Sequence, residues 1–330
     1  MLEERRAKVL ESLVEEYIAT GEPVSSAAIL ERSELGVSSA TIRNDLARLE
    51  AYGFVAQPHT SAGRIPTESA YRYYVDHCSP TKLRSATVRR IKEFFGDVHQ
   101  ELGKMLKETT SLIAELTTYP AVVLGPGLAG DIVRGLHLVQ LGDHIVLVVV
   151  VTHSGRVHQE IARLAEAVAP PDLAKAERIL RQHFAGNPMS QQEDVTTGVD
   201  PNSPVRAIVD GVVAAMRTVE SDSRNLYLGG TAQLAGLWND LAHVHNVLAV
   251  LEQESSVLAM LGEPGQGAMV RLGSELPLPD IGLAVITAAY DAGEHGTGQV
   301  GVIGPTRMDY RRAMSVVEQV SDGLADSLGS

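Results

Sequence analysis

The first 77 residues carry an ordered succession of three helical patterns followed by a short hairpin pattern, and no other feature constrains the fold as strongly. Apolar residues recur three and four positions apart from Leu2 to Ile18, which predicts an amphipathic first helix. The turn Thr20-Gly21-Glu22-Pro23 ends that helix, and Ser25 is the predicted N-cap of a short second one. These signals predict two helices joined by a tight turn.

A third helical pattern follows Ser38 and Ser39, which are alternative N-caps, and Gly53 lies where a C-terminal glycine cap belongs. One face of this helix is predicted to be buried, and its residues are Ile42, Leu46 and Leu49. The opposite face, again at helical spacing, consists of Ala40, Arg43, Asn44 and Ala47.

The outward face of the third helix has the chemistry of a helix that reads the major groove of DNA. Small residues allow the backbone to approach the bases, Arg43 can form two hydrogen bonds with guanine, and Asn44 can do the same with adenine. Hydroxyl and free N–H groups at the helix start can bind a phosphate. The helix alone leaves an alternative open, because arginine and asparagine are also ordinary residues of a solvated helix surface.

The segment after the third helix predicts a small hairpin. Residues 54–57 and 64–66 have strand character, and the polar connection 58–63 joins them. Thr67 is the predicted cap of a further helix that leaves Arg72 exposed. A helix-turn-helix followed by such a hairpin is a winged helix, so residues 1–77 are predicted to be a winged helix-turn-helix that binds DNA.

The candidate DNA-binding residues lie on the third helix, the hairpin and the helix after it. Arg43 and Asn44 are expected to read bases, and Ser39, Thr41, Arg64 and Arg72 are expected to hold the sugar-phosphate backbone. Arg64, beside Gly63, is placed at the hairpin tip, where it can contact the backbone or the minor groove. The full set is Ser38, Ser39, Thr41, Arg43, Asn44, Arg48, His59, Thr60, Ser61, Arg64 and Arg72.

The charge of the chain argues against DNA binding. The formal net charge is -13, and residues 1–77 hold 8 Lys and Arg against 12 Asp and Glu. DNA binding depends on cations that displace counterions from the phosphates. An adaptor whose winged helix binds protein is therefore an alternative function, and DNA binding has to depend on where individual arginines point.

Two runs of sequence resemble a known family. The run GVSSATIRNDLARLEAYGFVAQPHTSAGRIPTESAYRYYVDH at 36–77 resembles the N-terminal domain of the heat-inducible transcription repressor HrcA family, and GVIGPTRMDY at 301–310 resembles its C-terminal signature. The resemblance implies a repressor of chaperone operons that binds an inverted-repeat DNA operator as a homodimer and depends on the GroE chaperonin. Residues 261–274 depart from the family pattern, being richer in glycine and less charged.

Residues 78–118 have the heptad pattern of a long linking helix. Apolar positions alternate three and four residues apart from Val88 to Leu116. Two arrangements are open: the helix packs on its own domain, or it forms a two-fold coiled contact with a second chain. In either arrangement it connects the N-terminal domain to the rest.

The remainder of the chain predicts an α+β fold, so the whole protein is expected to be multidomain. Strand-like and helical segments follow one another after residue 119, with a helical region at 165–222. The family resemblance implies a GAF-like α+β sensor domain built from 119–164 and 223–330. It also implies that residues 165–222 are an inserted helical dimerisation subdomain.

Catalysis and metal binding have no candidate group of residues. The G-x-G-x-x-G run at 125–130 invites a dinucleotide-binding interpretation, but a strand-like pattern rather than a helix follows it. His243 and His245 lack acidic or thiol partners at ligand spacing, and Cys78 is the single cysteine. We expect no cofactor, no metal and no enzyme activity, with a nucleotide-using enzyme on residues 121–303 as the competing hypothesis.

Membrane and secretory signals are not expected in this sequence. The longest apolar run, Ile145–Val151, is far shorter than the roughly 18 residues that a spanning helix needs. The N-terminus carries acidic residues within its apolar stripe, which is not typical of a signal peptide. A cytoplasmic protein is the expectation.

Overall fold

The structure is a computed structural model of the chain. It describes residues 2–33, 36–59, 62–96, 102–126, 132–153, 155, 157–188, 195–196, 198–222, 226–238, 240–278, 282–293 and 296–329, without the side chains of 217–222. The buried apolar residues of these ranges form three hydrophobic cores, and the elements around them are helices and antiparallel sheets. The fold is therefore α+β and multidomain, as the sequence predicts.

The described residues up to His77 form four helices and a hairpin. These elements are α1 (Glu4–Thr20), α2 (Ser26–Arg32), α3 (Ser39–Ala51), β1 (Val55–Ala56), β2 (Ile65–Pro66) and α4 (Glu68–His77). Ser25 and Ser38 cap α2 and α3, because each side chain accepts a hydrogen bond from a backbone N–H of the first turn. The helix starts predicted at these serines are confirmed.

Thr67 does not cap α4 with its side chain, contrary to the sequence prediction. Its hydroxyl instead donates to the carbonyl oxygens of Gly53 and Phe54, at 2.7 and 2.9 Å. Gly53 has a φ of 79° just after α3, as the predicted glycine cap requires. Thr67 therefore joins the start of α4 to the end of α3.

An extended residue between α1 and α2 completes the small sheet. Val24 exchanges two backbone hydrogen bonds of 2.8 Å with Arg64, next to the antiparallel pair β1–β2. Gly63 permits this approach, because a Cβ there would lie 2.3 Å from the Val24 carbonyl oxygen. The base of the hairpin is thus fixed against the helices.

Residues 78–118 do not form one long helix, so that prediction is wrong. They contain two helices, α5 (Ser85–Gly96) and α6 (Leu102–Thr117), and Arg90 of α5 forms an ion pair with Glu115 of α6. The two residues are 25 positions apart, a span of about 37 Å in a continuous helix. The ion pair therefore requires α5 to fold back beside α6.

The chain next forms β3 (Ala121–Leu124) and then a separate antiparallel sheet of three strands. Their order in space is β4 (Val133–Gly142), β5 (Ile145–Thr152) and β6 (Val157–Arg163). Two helices share a hydrophobic core with one face of this sheet, namely α7 (Pro170–Phe184) and α8 (Pro204–Asp222). The other face carries exposed apolar side chains.

The insertion is therefore larger than predicted and is not purely helical. The sequence analysis placed residues 133–163 in the central sheet, but among the described residues β4, β5 and β6 pair only with one another. Val146, Val148 and Val150 are buried against α7 and α8. Alternating apolar residues pack equally well on helices or on a second sheet, so periodicity could not assign these strands.

The chain then returns to the sheet that contains β3, whose order is β7-β3-β10-β9-β8 and whose pairs are all antiparallel. The later strands are β7 (Leu226–Gly229), β8 (Met269–Leu272), β9 (Leu283–Asp291) and β10 (Thr297–Pro305). One sheet face shares a core with α9 (Leu241–Leu251) and α10 (Glu254–Leu261). The other shares a core with α6 and α11 (Tyr310–Leu328).

The heptad seam of α5 and α6 faces this same chain. Ile91 and Met105 are buried in the core that contains α11. A Cβ at Gly323 of α11 would lie 2.5 Å from the Phe95 ring, so α5 and α11 are in close contact. Of the two arrangements left open by the sequence, packing on the chain's own domain is the one observed. Val98, also a seam residue, lies outside the described residues.

Candidate nucleic-acid interface

α3 turns one of its faces to solvent. Ala40, Arg43, Asn44, Ala47 and Arg48 are exposed. The buried residues of α3 are Ile42, Asp45, Leu46 and Leu49. Arg43, Asn44 and Arg48 make no hydrogen bond or ion pair with the residues that the structure describes. Three polar side chains therefore project from one surface of the helix with their donors available.

Hydroxyl groups organise the start of α3. Ser38 Oγ accepts a hydrogen bond from the Thr41 N–H at 3.2 Å and lies 3.0 Å from Thr41 Oγ1. Ser39 Oγ lies 3.1 Å from Ser26 Oγ of α2. Ser39 thus links the two helices and helps to fix the angle between them, whereas Ser38 is exposed at the helix start.

Arg64 is not a free cation at the hairpin tip, contrary to the sequence expectation. Its Nε and Nη2 donate to Glu50 Oε2 at 3.1 and 2.8 Å, and its side chain is only 19% exposed. The pairing of its backbone with Val24 places it at the base of the hairpin, near the last turn of α3. There the guanidinium is satisfied by a carboxylate.

Arg72 is also committed to protein contacts, so its expected exposure is wrong. Its Nε donates to Asp76 at 3.0 Å, and its Nη1 donates to the Val270 carbonyl oxygen at 2.9 Å and to Glu275 at 3.1 Å. α4 packs on β8 at this point, which draws the side chain into the contact between the N-terminal helices and the central sheet.

The glycine-rich segment 261–274 supplies the other side of this contact. The Ser274 N–H and hydroxyl both donate to Glu68 Oε1, the N–H at 3.0 Å. A Cβ at Gly273 would lie 2.5 Å from Glu68 Oε2, so the missing side chain permits the approach. We name the contact formed by Glu68, Arg72, Val270, Ser274 and Glu275 the α4–β8 clasp.

A continuous hydrophobic core joins the N-terminal helices to α6 and α11. At its edge Arg311 donates to Glu15 at 3.2 Å and to the Ser79 carbonyl oxygen at 3.1 Å. The rings of Tyr71 and Tyr310 lie 6.1 Å apart. These contacts, with the clasp, set the orientation of α3 relative to the central sheet.

The hairpin tip is only partly described. His59 is exposed, and Gln57 Nε2 donates to the Ala62 carbonyl oxygen at 3.0 Å across the turn. Thr60 and Ser61, which the sequence analysis also selected, lie outside the described residues. Of the selected hairpin residues that the structure describes, His59 is thus exposed and Arg64 is not.

Sequence reasoning missed Asp45. Its side chain is 3% exposed, receives hydrogen bonds of 2.8 and 3.1 Å from Arg5 and lies 3.4 Å from Arg6. The hydrogen bonds from Arg5 hold the pKa of Asp45 below its usual 3.8, although burial acts in the opposite direction. The ionised carboxylate joins α1 to the inner side of α3. Its neighbours Arg43 and Asn44 gave no signal of this, because successive helix residues point roughly 100° apart.

Two other kinds of site were considered from the sequence, a metal site at the histidines and a dinucleotide site at the glycine run. The described residues contain no group of three or more His, Cys, Asp or Glu that could hold a metal. In the glycine run, residues 127–130 lie outside the described ranges, and the next element that the structure describes is the strand β4, whereas a dinucleotide fingerprint must open a helix. No helix in the described ranges is both long and apolar enough to cross a membrane.

Comparison with known proteins covers nearly the whole chain. Residues 103–314 match the family described as HrcA protein C terminal domain. A heat-inducible transcription repressor HrcA of Nocardioides sp. is 37% identical over 328 residues, which cover 97% of each chain. Another, of Halalkalibacterium halodurans, is 34% identical over 337 residues, with 99% of this chain and 98% of the relative covered.

A solved structure has the same overall fold. It is the crystal structure of a hypothetical protein at 2.2 Å resolution, and it matches 100% of this chain and 99% of its own with a TM-score of 0.61 and 24% identity. The solved structure, at 24% identity, shows the fold alone. The sequence matches of 37 and 34% identity over nearly the whole chain show the family. The family expected from the two sequence runs is confirmed, and the chain belongs to the HrcA family of heat-inducible transcription repressors.

Proposed function

We propose that this chain represses chaperone operons by binding an inverted-repeat operator as a homodimer, and that it loses activity on heat stress. In this proposal residues 1–77 are a winged helix-turn-helix whose α3 enters the major groove. The observation that carries it is the outward face of α3. Arg43, Asn44 and Arg48 project there beside small residues, unpaired within the described chain, as base reading requires.

The remaining domains have assigned roles in the same proposal. The central sheet with α6, α9, α10 and α11 is a GAF-like regulatory domain, and residues 133–222 are the inserted dimerisation unit. Family resemblance adds the GroE chaperonin as the partner that supports activity. The α4–β8 clasp supports a regulatory role, because it is one of the contacts through which a shift of the central sheet would reach the N-terminal helices.

Base reading by Arg43 is tested with duplexes that the full chain enriches from a random DNA pool. Arg43→Ala is expected to weaken binding by about 1 to 3 kcal/mol and to relax the preference at one base pair of each half-site. Arg178→Ala, at an exposed arginine of α7, is the matched control and should leave affinity unchanged. Equal affinity and preference in both variants would remove the assigned role.

The outer face of β4, β5 and β6 is the proposed dimer contact. Its exposed apolar side chains Val139, Leu141, Val157 and Ile161 are each between 46 and 57% exposed. Leu147 in the middle strand pairs with both Val139 and Ile161, so the apolar surface is continuous. A second copy is the occupant, because an inverted repeat requires two α3 helices related by two-fold symmetry.

Sedimentation of the full chain tests this contact. Leu147→Asp should convert the dimer to a monomer, because it places a charge in the centre of an apolar contact. Lys175→Asp, on the exposed side of α7, should leave the dimer intact. A dimer that persists in the Leu147 variant would place the interface elsewhere.

An adaptor that binds protein is the second candidate function, and the charges favour it. Of the eight cations in residues 1–77, six form ion pairs: Arg5, Arg6, Lys8, Arg32, Arg64 and Arg72. A DNA-binding protein loses affinity steeply as salt rises. If the affinity for the enriched duplex does not change with salt, the adaptor is favoured.

A further inference from the structure

We propose that residues 82–92 form a second phosphate-binding surface, which contacts the DNA backbone next to the base pairs that α3 binds. The inference rests on the proposed DNA-binding function and assigns to it cations outside the N-terminal domain. The segment KLRSATVRRIK contains five cations and no acidic residue, in a chain of net charge -13. We name Lys82, Arg84, Arg89, Arg90 and Lys92 the basic strip.

The N-terminal domain alone has too few available cations for a DNA-binding protein. Among its eight, Arg43 and Arg48 are those without an ion pair in the described chain. A sequence-specific protein commonly makes about 6 to 10 phosphate contacts, and Arg43 is assigned to a base. Cations from elsewhere in the chain would add phosphate contacts and so raise the affinity at physiological salt.

The fold directs the basic strip to solvent. Its five residues are all exposed, while Ile91 is buried and Phe95 contacts Gly323 on the inner side of α5. Arg90 pairs with Glu115, and Arg89 lies 3.6 Å from Glu93. The other three make no ion pair with described residues. Like charges three positions apart on a helix, such as Arg89 and Lys92, destabilise it, and a bound polyanion would offset that cost.

The basic strip is rigidly mounted next to α4. Arg311 donates to the Ser79 carbonyl oxygen at 3.1 Å, and the Thr81 N–H donates to the Arg311 carbonyl oxygen at 3.1 Å. Ser315 Oγ donates to the Thr81 carbonyl oxygen at 2.7 Å. The segment between α4 and the strip is thereby fixed to α11, so the strip is held in place at the end of the N-terminal domain.

A neighbouring groove limits where the phosphates can lie. It has a volume of about 880 Å³ between residues 80–93 and α11, with Lys82 and Lys92 on one wall and Glu318 and Asp322 on the other. The acidic wall repels phosphate from the interior of the groove. The DNA backbone is therefore expected to lie across the outer rim, where the cations are exposed.

The test is the salt dependence of DNA binding by the full chain. The strip variant Lys82→Gln/Arg84→Gln/Lys92→Gln should make the negative slope of log K against log salt shallower by about 3 for each bound protomer, hence by about 5 for the homodimer, at close to 0.9 per lost phosphate contact. Its affinity should fall at least tenfold for all duplexes alike. The matched control Lys104→Gln/Lys107→Gln/Arg178→Gln removes the same charge from other exposed positions and should keep the wild-type slope.

A second readout uses the unaltered protein. The enriched duplex is shortened so that it keeps both half-sites but loses the base pairs outside them. The wild-type affinity should then fall toward that of the strip variant, because the flanking phosphates are lost. A strip variant with wild-type slope and affinity would overturn the inference while leaving the proposed function standing. Equal losses in strip and control variants, or no effect of trimming, would also overturn it. A wild-type chain that binds no duplex would overturn both.

Discussion

At the scale of single residues, carboxylates decide which arginines are available to a ligand. Asp45 engages Arg5 and Arg6 on the inner side of α3, and Glu50 engages Arg64 at its last turn. Glu50 lies seven positions after Arg43, hence on the same side of the helix. Arg64 therefore neutralises a negative charge at the edge of the surface proposed to meet DNA.

Replacing Asp45 by Asn should destabilise the full chain by about 1 to 3 kcal/mol at pH 7, since Arg5 and Arg6 lose a charged acceptor that is itself buried. The lowered pKa of Asp45 means that its stabilisation is complete above the usual value of 3.8 and is lost as the pH falls through the folded-state pKa. Urea unfolding across this range measures the difference. Asp210→Asn, in an exposed pair with Arg206, should cost less than about 0.5 kcal/mol.

Arg64→Ala should weaken binding to all DNA sequences alike, because it uncovers the charge of Glu50. The double variant Arg64→Ala/Glu50→Gln should restore affinity to within about twofold, a double-mutant cycle that isolates the pair. Titration of the enriched and scrambled duplexes measures both. A double variant as weak as the single one would show that Arg64 itself contacts a phosphate.

The sequence predicted the exposure of Arg43 and Asn44 correctly, because their positions follow from helical spacing around Ile42 and Leu46. It failed for Arg64 and Arg72, since a partner carboxylate or carbonyl group can lie anywhere in the chain. Arg72 and Val270 are 198 positions apart. Local patterns carry no record of such distant partners.

At the scale of elements, a helix start was predictable where a side chain caps its own helix. Ser25 and Ser38 begin their helices as expected. The break between α5 and α6 was not predicted, because the apolar spacing continues across it and a heptad pattern does not reveal which surface it faces. The fold-back depends instead on α11, through the close contact of Phe95 with Gly323.

Gly323→Ala should destabilise the chain, although alanine normally stabilises the middle of a helix by about 0.5 to 1 kcal/mol. The new methyl group would lie 2.5 Å from the Phe95 ring and force α5 away from α11. Adding Phe95→Ala should relieve the clash, so the double variant should be more stable than the two single effects predict. Additive changes in the urea midpoint would argue against this packing.

At the scale of the whole molecule, the N-terminal helices and the central sheet share one core, and the α4–β8 clasp closes their contact. The α+β class and the existence of an insertion were predictable from the sequence and the family resemblance. The extent of the insertion was not, because strands 133–163 have the same alternation as those of the central sheet. The role of segment 261–274 became visible only when Glu68 and Arg72 were found beside it.

Cys78 should report on opening of this contact. Burial raises its pKa to about 11 from 9.0, so the thiolate fraction and the alkylation rate at pH 8 should be roughly 100-fold below those of an ordinary thiol. Arg72→Ala, which breaks the clasp, should increase the rate severalfold, and Asp210→Asn should not. Iodoacetamide labelling followed by mass spectrometry measures the rates. Equal labelling in all three proteins would show that the clasp does not control the contact.

Methylation interference on the enriched duplex tests the central claim, that the outward face of α3 reads DNA. Two interfering guanine N7 positions are predicted, related by two-fold symmetry and separated by about one helical turn of 34 Å or a multiple of it. Both should disappear with Arg43→Ala, because the N7 acceptor then has no guanidinium to pair with. Interference that is absent in the wild type, or that is unchanged in the variant, would contradict the account.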